Sequence, residues 1–461
     1  MIATPLGRIA IEGIKTLASL DPMLYELLAQ EYHQQTHTLS LVAASGVAAP
    51  SVLTCQGSVA TNITTEGYPG KRFHGGCEFV DQIEQLAIER AKAAFNAQYA
   101  NVQPHSGTSA NEIVLFSILK PGDIILGMEL NCGGHLTHGS PVSISGSCFR
   151  AIGYGVNDEG FIDYEQIAVL SRKFRPKLII AGASSYPRKI EFVKFRQIAD
   201  EVGAYLLADI SHIAGLVAAG EHESPVDCAH FTTMSTYKQL GGPRGGLILM
   251  GKDFDLPSPD GKQTLASMIQ RAVFPYFQGT PNLSAISAKA CALAIVGTSE
   301  FKNWARMVMQ DAAALAQHLL DRQYRVLTGG TDNHMVLVDI HARGITGFVA
   351  EKALGDCGII VNKNRIPNDR KDAMTTSGLR LGTNIAASRG MGVEQMAACA
   401  GLIDEVLSST AALSDRTYHL DSGVKQSAQA AVARFCKQFP ISGYPILKIP
   451  AHERSNLETV G

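Results

Sequence analysis

The run Tyr205-Leu206-Leu207-Ala208-Asp209-Ile210-Ser211-His212 sets a short apolar stretch directly before an aspartate and a histidine. Such a stretch reads as a buried strand, and the carboxyl end of a strand is where ligands of open α/β sheets bind. Taken alone, Asp209 there reads equally well as a structural residue. On either side the same kind of run recurs at Ile124 to Met128, Leu178 to Ala181 and Leu247 to Met250. Between the runs lie helical patterns, around Ile83 to Phe95, Ser109 to Leu119 and Phe195 to Val202. Strands alternating with helices predict a mainly parallel sheet with both faces covered.

The ends of the chain read differently. Asp21 suits a helix cap and Pro22 a first helical position, and Leu24, Leu27 and Leu28 then share one face. This predicts an arm over residues 1–50. A large domain is expected over 51–295, ending in the Ala- and Leu-rich helix around Leu283 to Val296, and a smaller carboxyl-terminal domain over 296–461. Pro257, Pro259 and Gly261 mark a surface loop, and the stretch from Ser455 reads as frayed.

Composition narrows the class. The chain has 461 residues, 46% of them hydrophobic, and a formal net charge of -2. That is enough for a large core and leaves no broad positive field to neutralise a nucleic acid. Cysteines at 55, 77, 132, 148, 228, 291, 357, 399 and 436 are scattered and form no CxxC pair, so neither a disulfide framework nor a metal site is expected. Arg8, Glu12 and Lys15 interrupt any apolar leader, and no run approaches the ~20 apolar residues of a membrane span. A cytoplasmic location is the expectation, with no membrane and no nucleic acid as partner.

The motifs that an α/β sheet invites are missing. There is no GxGxxG after a strand and no GxxxxGK[ST], nor is there HExxH or GxSxG, which removes dinucleotide, Walker-type, zinc-peptidase and hydrolase readings. His105-Ser106-Gly107-Thr108-Ser109 precedes a helical run and reads either as a plain cap or as a phosphate cradle of backbone N–H groups. Lys238 lies between the Thr/Ser-rich strand end Thr232-Thr233-Met234-Ser235-Thr236 and the glycine pairs Gly241-Gly242 and Gly245-Gly246. Most lysines are solvated surface groups. In this setting the amine could be held indoors with a lowered pKa, ready for Schiff-base chemistry.

Several runs together resemble the serine hydroxymethyltransferase family. They are Glu66-Gly67-Tyr68-Pro69-Gly70-Lys71-Arg72, Ala100-Asn101-Val102-Gln103-Pro104-His105-Ser106-Gly107, Gly133-Gly134-His135-Leu136-Thr137-His138-Gly139, Asp209 to Gly220, and Ser377-Gly378-Leu379-Arg380-Leu381-Gly382-Thr383. The resemblance keeps the family's order from about residue 40 to 440. It implies an aspartate-aminotransferase-like fold of type I, a large domain with a mainly parallel sheet plus a smaller α+β domain. It also implies pyridoxal 5'-phosphate as cofactor and a homodimer, or a pair of dimers.

Residue by residue, the resemblance implies that Lys238 carries the cofactor and Asp209 pairs with its ring nitrogen, which makes the ring an electron sink. His135 would stack on the ring, with Ser184 and His212 near its hydroxyl. Ser106, Gly107 and Thr108 would hold the phosphate, with Gly279 arriving from a second subunit, and Ser235 would also bind the cofactor. Arg380 would fork onto the substrate carboxylate, beside His212. Glu66 would handle the proton during Cα–Cβ cleavage or attack on a folate. Leu130, Gly134, Leu136 and Asn364, with Glu66, match positions that contact tetrahydrofolate.

The chain departs from the family at Ala44-Ser45-Gly46, Thr64, Phe73, His74, Tyr237, Arg365 and the loop Phe274-Pro275-Tyr276-Phe277-Gln278-Gly279-Thr280-Pro281. Arg365, beside Asn364, falls on the folate side; the other departures fall near the substrate's carboxylate and Cβ and at the subunit junction. His74 replaces a phenol close to the reacting carbons, and an imidazole is a plausible proton carrier for the β-hydroxyl. Three functions follow. One is hydroxymethyl transfer between serine, or an α-substituted serine, and glycine or its analogue through tetrahydrofolate. Another is folate-independent aldolase or transaldolase action on threonine-like amino acids or α-methylserine. The third is a non-catalytic homologue that binds the cofactor.

Overall fold

The computed structural model describes residues 4–445; the stretch from Ser455 lies outside them. Seven strands build the central sheet: β1 (Tyr99–Asn101), β2 (Ile124–Met128), β3 (Arg150–Tyr154), β4 (Leu178–Gly182), β5 (Tyr205–Asp209), β6 (Phe231–Ser235) and β7 (Gly246–Met250). Their spatial order is β1-β7-β6-β5-β4-β2-β3. From β3 to β6 each neighbouring pair is parallel, and β7 runs antiparallel to both β6 and β1. The register Gly182↔Asp209↔Thr233 brings the carboxyl ends of β4, β5 and β6 to one edge. Gly182 must be glycine for this, since a Cβ there would lie 2.4 Å from the Asp209 carbonyl oxygen.

Helices cover both faces, which is why β4, β6 and β7 are buried along their whole length. They include α3 (Glu78–Phe95), α4 (Gly107–Ile118), α5 (Phe192–Val202) and α6 (Leu283–Val296). Ser106 starts α4 by accepting a hydrogen bond from Ser109 N at 2.9 Å, and Asn282 starts α6 in the same way from Ala285 N at 3.0 Å.

A second core forms around a four-stranded antiparallel sheet. Its strands are β8 (Arg325–Val326), β9 (Met335–Asp339), β10 (Asn362–Asn364) and β11 (Gly378–Gly382), in the order β8-β9-β11-β10. The helix Ser299–Asp321 serves both cores, with Phe301 and Ala305 in the first and Ala312, Leu315 and Leu319 in the second.

The amino-terminal segment is two helices, Pro5–Leu20 and Pro22–His37. Asp21 caps the second through Leu24 N at 3.0 Å, as its sequence predicts, while the first was not legible as a separate helix. The first buries no residue, and Leu6, Ile9, Ile14, Leu24, Leu27 and Leu28 are all exposed. The segment does not stay an arm up to residue 50. Leu39–Ser40 pairs in parallel with Ile359–Ile360, and Leu39 and Leu41 are fully buried in the second core, because their apolar side chains find cover there. Among the described residues, no helix is long and apolar enough to cross a membrane.

Candidate active site

Asp209 ends β5 and sits in a closed hydrogen-bond array. Its Oδ2 accepts from Asn111 Nδ2 at 2.8 Å and from His138 Nε2 at 3.1 Å, and its Oδ1 accepts from Ser211 N at 2.9 Å. Burial opposes its charge, yet the His138 and Ser211 hydrogen bonds and the nearby His135 hold its carboxyl well below the usual carboxylate range. The array fixes tautomers. His138 Nδ1 accepts from His135 N at 3.3 Å, so its Nε2 hydrogen faces Asp209. Asn111 gives its other amide hydrogen to Thr137 Oγ1 at 2.8 Å, and that hydroxyl turns to His135 Nδ1 at 2.7 Å. His135 is therefore neutral with its hydrogen on Nε2, in keeping with burial pushing it down to about 4. His135, His138 and Asp209 bring ligand-type atoms within 4.8 Å of one another, and hydrogen bonds already account for that closeness.

Lys238 follows β6 and is buried, with 7% of its surface exposed. Burial pushes its amine down to about 8 against the pull of Asp209, and Arg380 and Arg244 repel it further. A base near 8 is a usable nucleophile close to neutral pH. The lysine's own backbone is held by close packing, since a Cβ at Gly46 would fall 1.9 Å from the Lys238 carbonyl oxygen. Tyr237, one of the departures, carries the Arg244 guanidinium over its ring at 3.7 Å.

The amino end of α4 faces the same region. A Cβ at Gly107 would crowd Ser235 Cβ at 3.2 Å and Ser211 Oγ at 3.4 Å, and Ser211 Oγ accepts from Ser235 N at 3.0 Å. The Ser235 hydroxyl itself is buried with no hydrogen-bond partner among the described residues. A helix amino end beside an orphaned hydroxyl is an anion cradle in both geometry and charge. Ser106 spends its hydroxyl on capping, so what it and Gly107 and Thr108 offer an anion is the helix end they form.

Arg380, on β11, faces the carboxyl edge of the large sheet. Its Nε donates to Asn362 Oδ1 at 3.1 Å and one Nη1 hydrogen to the Ser184 carbonyl. No carboxylate pairs with it among the described residues, and burial lowers it to about 10. An indoor cation without an anion is costly unless a ligand supplies one. His212 is buried, with Nδ1 unpartnered, and its ring stacks on His334 at 5.9 Å. Burial and the charges of Lys238 and Arg380 hold His212 well below the usual imidazole value.

Other expected residues stand apart from this cluster within one chain. A Cβ at Gly279 would lie 3.7 Å from Glu66 Oε1, so these two come together. No hydrogen bond or ion pair joins Glu66 to Lys238. His74 is exposed, and its carbonyl accepts from Cys77 Sγ at 3.3 Å. Its expected place beside the reacting carbons is not seen in this structure, because the turn that bears it lies on the surface. Leu130 and Leu136 are exposed, and Asn364 donates to Ser185 Oγ at 2.8 Å. Gly134 has a packing reason to be glycine, since a Cβ would meet the Met128 carbonyl oxygen at 2.0 Å. Arg365 bonds Asn131 Oδ1 and the Lys371 carbonyl, the latter at 3.0 Å.

Sequence reasoning missed Asn111, His138 and His334. A polar Asn111 among the buried Ala110, Ile113, Val114 and Leu115 of α4 was a signal available in the pattern. His138 stands one helical turn from His135, and His334, buried with Nε2 on the Ala43 carbonyl at 3.2 Å, gave none.

The residues present fit pyridoxal 5'-phosphate: an ionised carboxylate for a ring nitrogen, a neutral imidazole for a ring face, an indoor amine, and an orphaned hydroxyl at a helix amino end for the phosphate. A family model described as serine hydroxymethyltransferase matches residues 17–403, a span that takes in the whole central sheet, Lys238, Asp209 and Arg380. That match and this donor set agree, and the chain belongs to the serine hydroxymethyltransferase family, whose members depend on pyridoxal 5'-phosphate.

Proposed function

We propose that this chain, with pyridoxal 5'-phosphate on Lys238, breaks and forms the Cα–Cβ bond of β-hydroxy-α-amino acids. It passes a hydroxymethyl group between serine, or an α-substituted serine, and glycine or its analogue, with tetrahydrofolate as one-carbon carrier. The observation that carries this reading is the pairing of two buried basic groups: Lys238, attracted by Asp209, lies close enough to Arg380 to be repelled by it, and no carboxylate pairs with Arg380 among the described residues. One receives an aldehyde, the other an α-carboxylate.

When bound, the cofactor supplies an electron sink for the pair left at Cα. The chain's residues do the rest. Asp209, held ionised, would accept a hydrogen bond from the cofactor's ring N–H, and neutral His135 would pack against the ring without adding charge. Arg380 would hold the substrate carboxylate and so orient the bonds at Cα. Glu66 moves the proton on the β-oxygen, and its closeness to Gly279 supports the reading that both serve a site completed by a second subunit. The exposed apolar helices Pro5–Leu20 and Pro22–His37 support the homodimer.

Arg365 favours a second reading, folate-independent aldol cleavage. Its guanidinium ties Asn131 to the Lys371 carbonyl beside Asn364, across the place expected for a folate. Ala44 brings no hydroxyl to a segment whose Ala43 and Ser45 carbonyls accept from Asn384 Nδ2 at 3.1 and 3.2 Å, and the missing hydroxyl favours an α- or β-substituted substrate.

Specificity constants for serine, threonine and α-methylserine, with and without tetrahydrofolate, test all of this. Threonine or α-methylserine is expected to match serine. A ~100-fold preference for serine, or roughly 2.7 kcal/mol, refutes the widened site. Tetrahydrofolate without effect selects the folate-independent reading, and no turnover of any of the three leaves a cofactor-binding homologue. Lys238→Ala is expected to lose the visible band of lysine-bound cofactor.

A further inference from the structure

Lys289 is a lysine in the wrong place for a surface cation. It lies on α6 between Ala288 and Ala290, 2% exposed, in a helix buried along most of its length. Its three ammonium hydrogens are all used on backbone: Nζ donates to the carbonyls of Val102 at 2.6 Å, Pro104 at 3.0 Å and Gly246 at 3.0 Å. No carboxylate pairs with it among the described residues. The nearby Glu84 is engaged by Arg72 at 2.6 Å and by Gln103 Nε2 at 2.7 Å. A methionine would fill the same volume without the cost of burying a charge, so what the charge does must offset that cost.

The carbonyls it gathers belong to the two segments that frame the anion cradle. Val102 to His105 is the chain entering α4, whose first residues follow at Ser106 and Gly107. Gly246 begins β7, and a Cβ there would strike the Ser106 carbonyl oxygen at 2.3 Å. The two segments also bond directly, Gly246 N to the Pro104 carbonyl at 2.9 Å. From the opposite side Gln278 closes the frame, donating to the Gln103 carbonyl at 3.1 Å and accepting from His105 N at 3.1 Å. Space for the lysine is made by Gly245, where a Cβ would fall 2.4 Å from Lys289 Cε.

We propose that Lys289 is a positioning residue for the cofactor's phosphate: by gathering the carbonyls of Val102, Pro104 and Gly246 it sets the entry to α4 in the geometry that an anion needs, without touching the anion. This rests on the reading that Ser106 to Thr108 and Ser235 hold the phosphate. An anion at the helix end would also stabilise the buried ammonium, which burial pushes down to about 7 against the pull of Glu84. Each charge then makes the other less costly.

The test titrates full-length protein, stripped of cofactor, with pyridoxal 5'-phosphate and separately with pyridoxal, which has the aldehyde and no phosphate. Lys289→Met is expected to weaken pyridoxal 5'-phosphate at least ~10-fold while leaving pyridoxal nearly unchanged. Gly245→Ala keeps the charge and displaces the ammonium, so it is expected to show the same selective loss; it decides the matter if Lys289→Met fails to fold. Equal loss for the two ligands, or none, overturns the proposal. Ser235→Ala separates this from the cradle itself. A selective loss there beside an unselective Lys289→Met leaves the cradle standing and removes Lys289 from it, whereas no selective loss in either variant removes both.

Discussion

Arg380→Ala tests the proposal that Arg380 holds the substrate carboxylate, and its expected effect follows from the hydrogens left over. A guanidinium has five N–H donors. Two are spent, on Asn362 Oδ1 and the Ser184 carbonyl, which leaves a donor edge for a carboxylate. Hydrogen bonds to charged groups are worth about 1.5–3 kcal/mol each, and losing one partner of a buried pair costs about 3–5 kcal/mol. An effect near 3–4 kcal/mol lowers kcat/KM by a few hundred-fold. The assay compares an amino acid with its amide, which lacks the carboxylate. Arg380→Ala is expected to lower kcat/KM a few hundred-fold for the acid and far less for the amide, and Arg380→Lys to fall between because it keeps charge and loses the fork. Since Arg380 depresses Lys238, the alanine variant should also shift the pH dependence of cofactor capture upward from about 8. Equal losses for acid and amide would refute the assignment.

Asp209→Asn presents an amide where Ser211 N, Asn111 and His138 all donate, so one donor goes unmet; unfolding titrations should show a loss of about 1–3 kcal/mol, and turnover should fall at least ~100-fold with cofactor still on Lys238. Asp311 is buried with both carboxyl oxygens unpartnered, and burial raises it to about 7. Its folded form keeps a proton that the unfolded chain has lost, so stability present at acid pH is lost as pH rises through about 7, and Asp311→Asn should raise Tm more at pH 8 than at pH 5. Removing residues 1–38 takes away the exposed helices, and sedimentation should then find monomer where the full chain gives dimer.

What the sequence revealed of the fold follows burial. Strands β2, β4, β5 and β7 are covered on both faces and read as apolar runs at nearly their observed limits. Strand β3 is an edge strand, paired only with β2, and its Arg150-Ala151-Ile152-Gly153-Tyr154 carries too little apolar pattern to stand out. Strand β1 is only Tyr99–Asn101, and it exists because β7 pairs with it. Lys238 among glycines and Asp209 after an apolar run could be singled out as candidates by local pattern, and the family resemblance gave them their expected roles. Asn111, His138 and Lys289 were not singled out, because a polar residue in a helix or loop acquires its meaning from a partner about 70 to 190 positions away.

The pattern of satisfied and open valences explains why the departures from the family fall where they do. Both carboxyl oxygens of Asp209 are engaged by donors of the chain, so a change at Asn111 or His138 would leave a buried donor or acceptor unmet, at about 1–3 kcal/mol. Other buried groups carry no such constraint: among the described residues the Ser235 hydroxyl and His212 Nδ1 have no hydrogen-bond partner, and no carboxylate pairs with Arg380. Tyr237 finds a partner in Arg244, Arg365 spans Asn131 and Lys371, and Phe73 leans on Phe274 at a ring distance of 5.8 Å. These three departures are thus absorbed by a contact with a neighbour, and none of those contacts reaches the Asp209 array. A chain built this way can change its amino acid or its acceptor while the cofactor's ring keeps the same carboxylate, imidazole and amine.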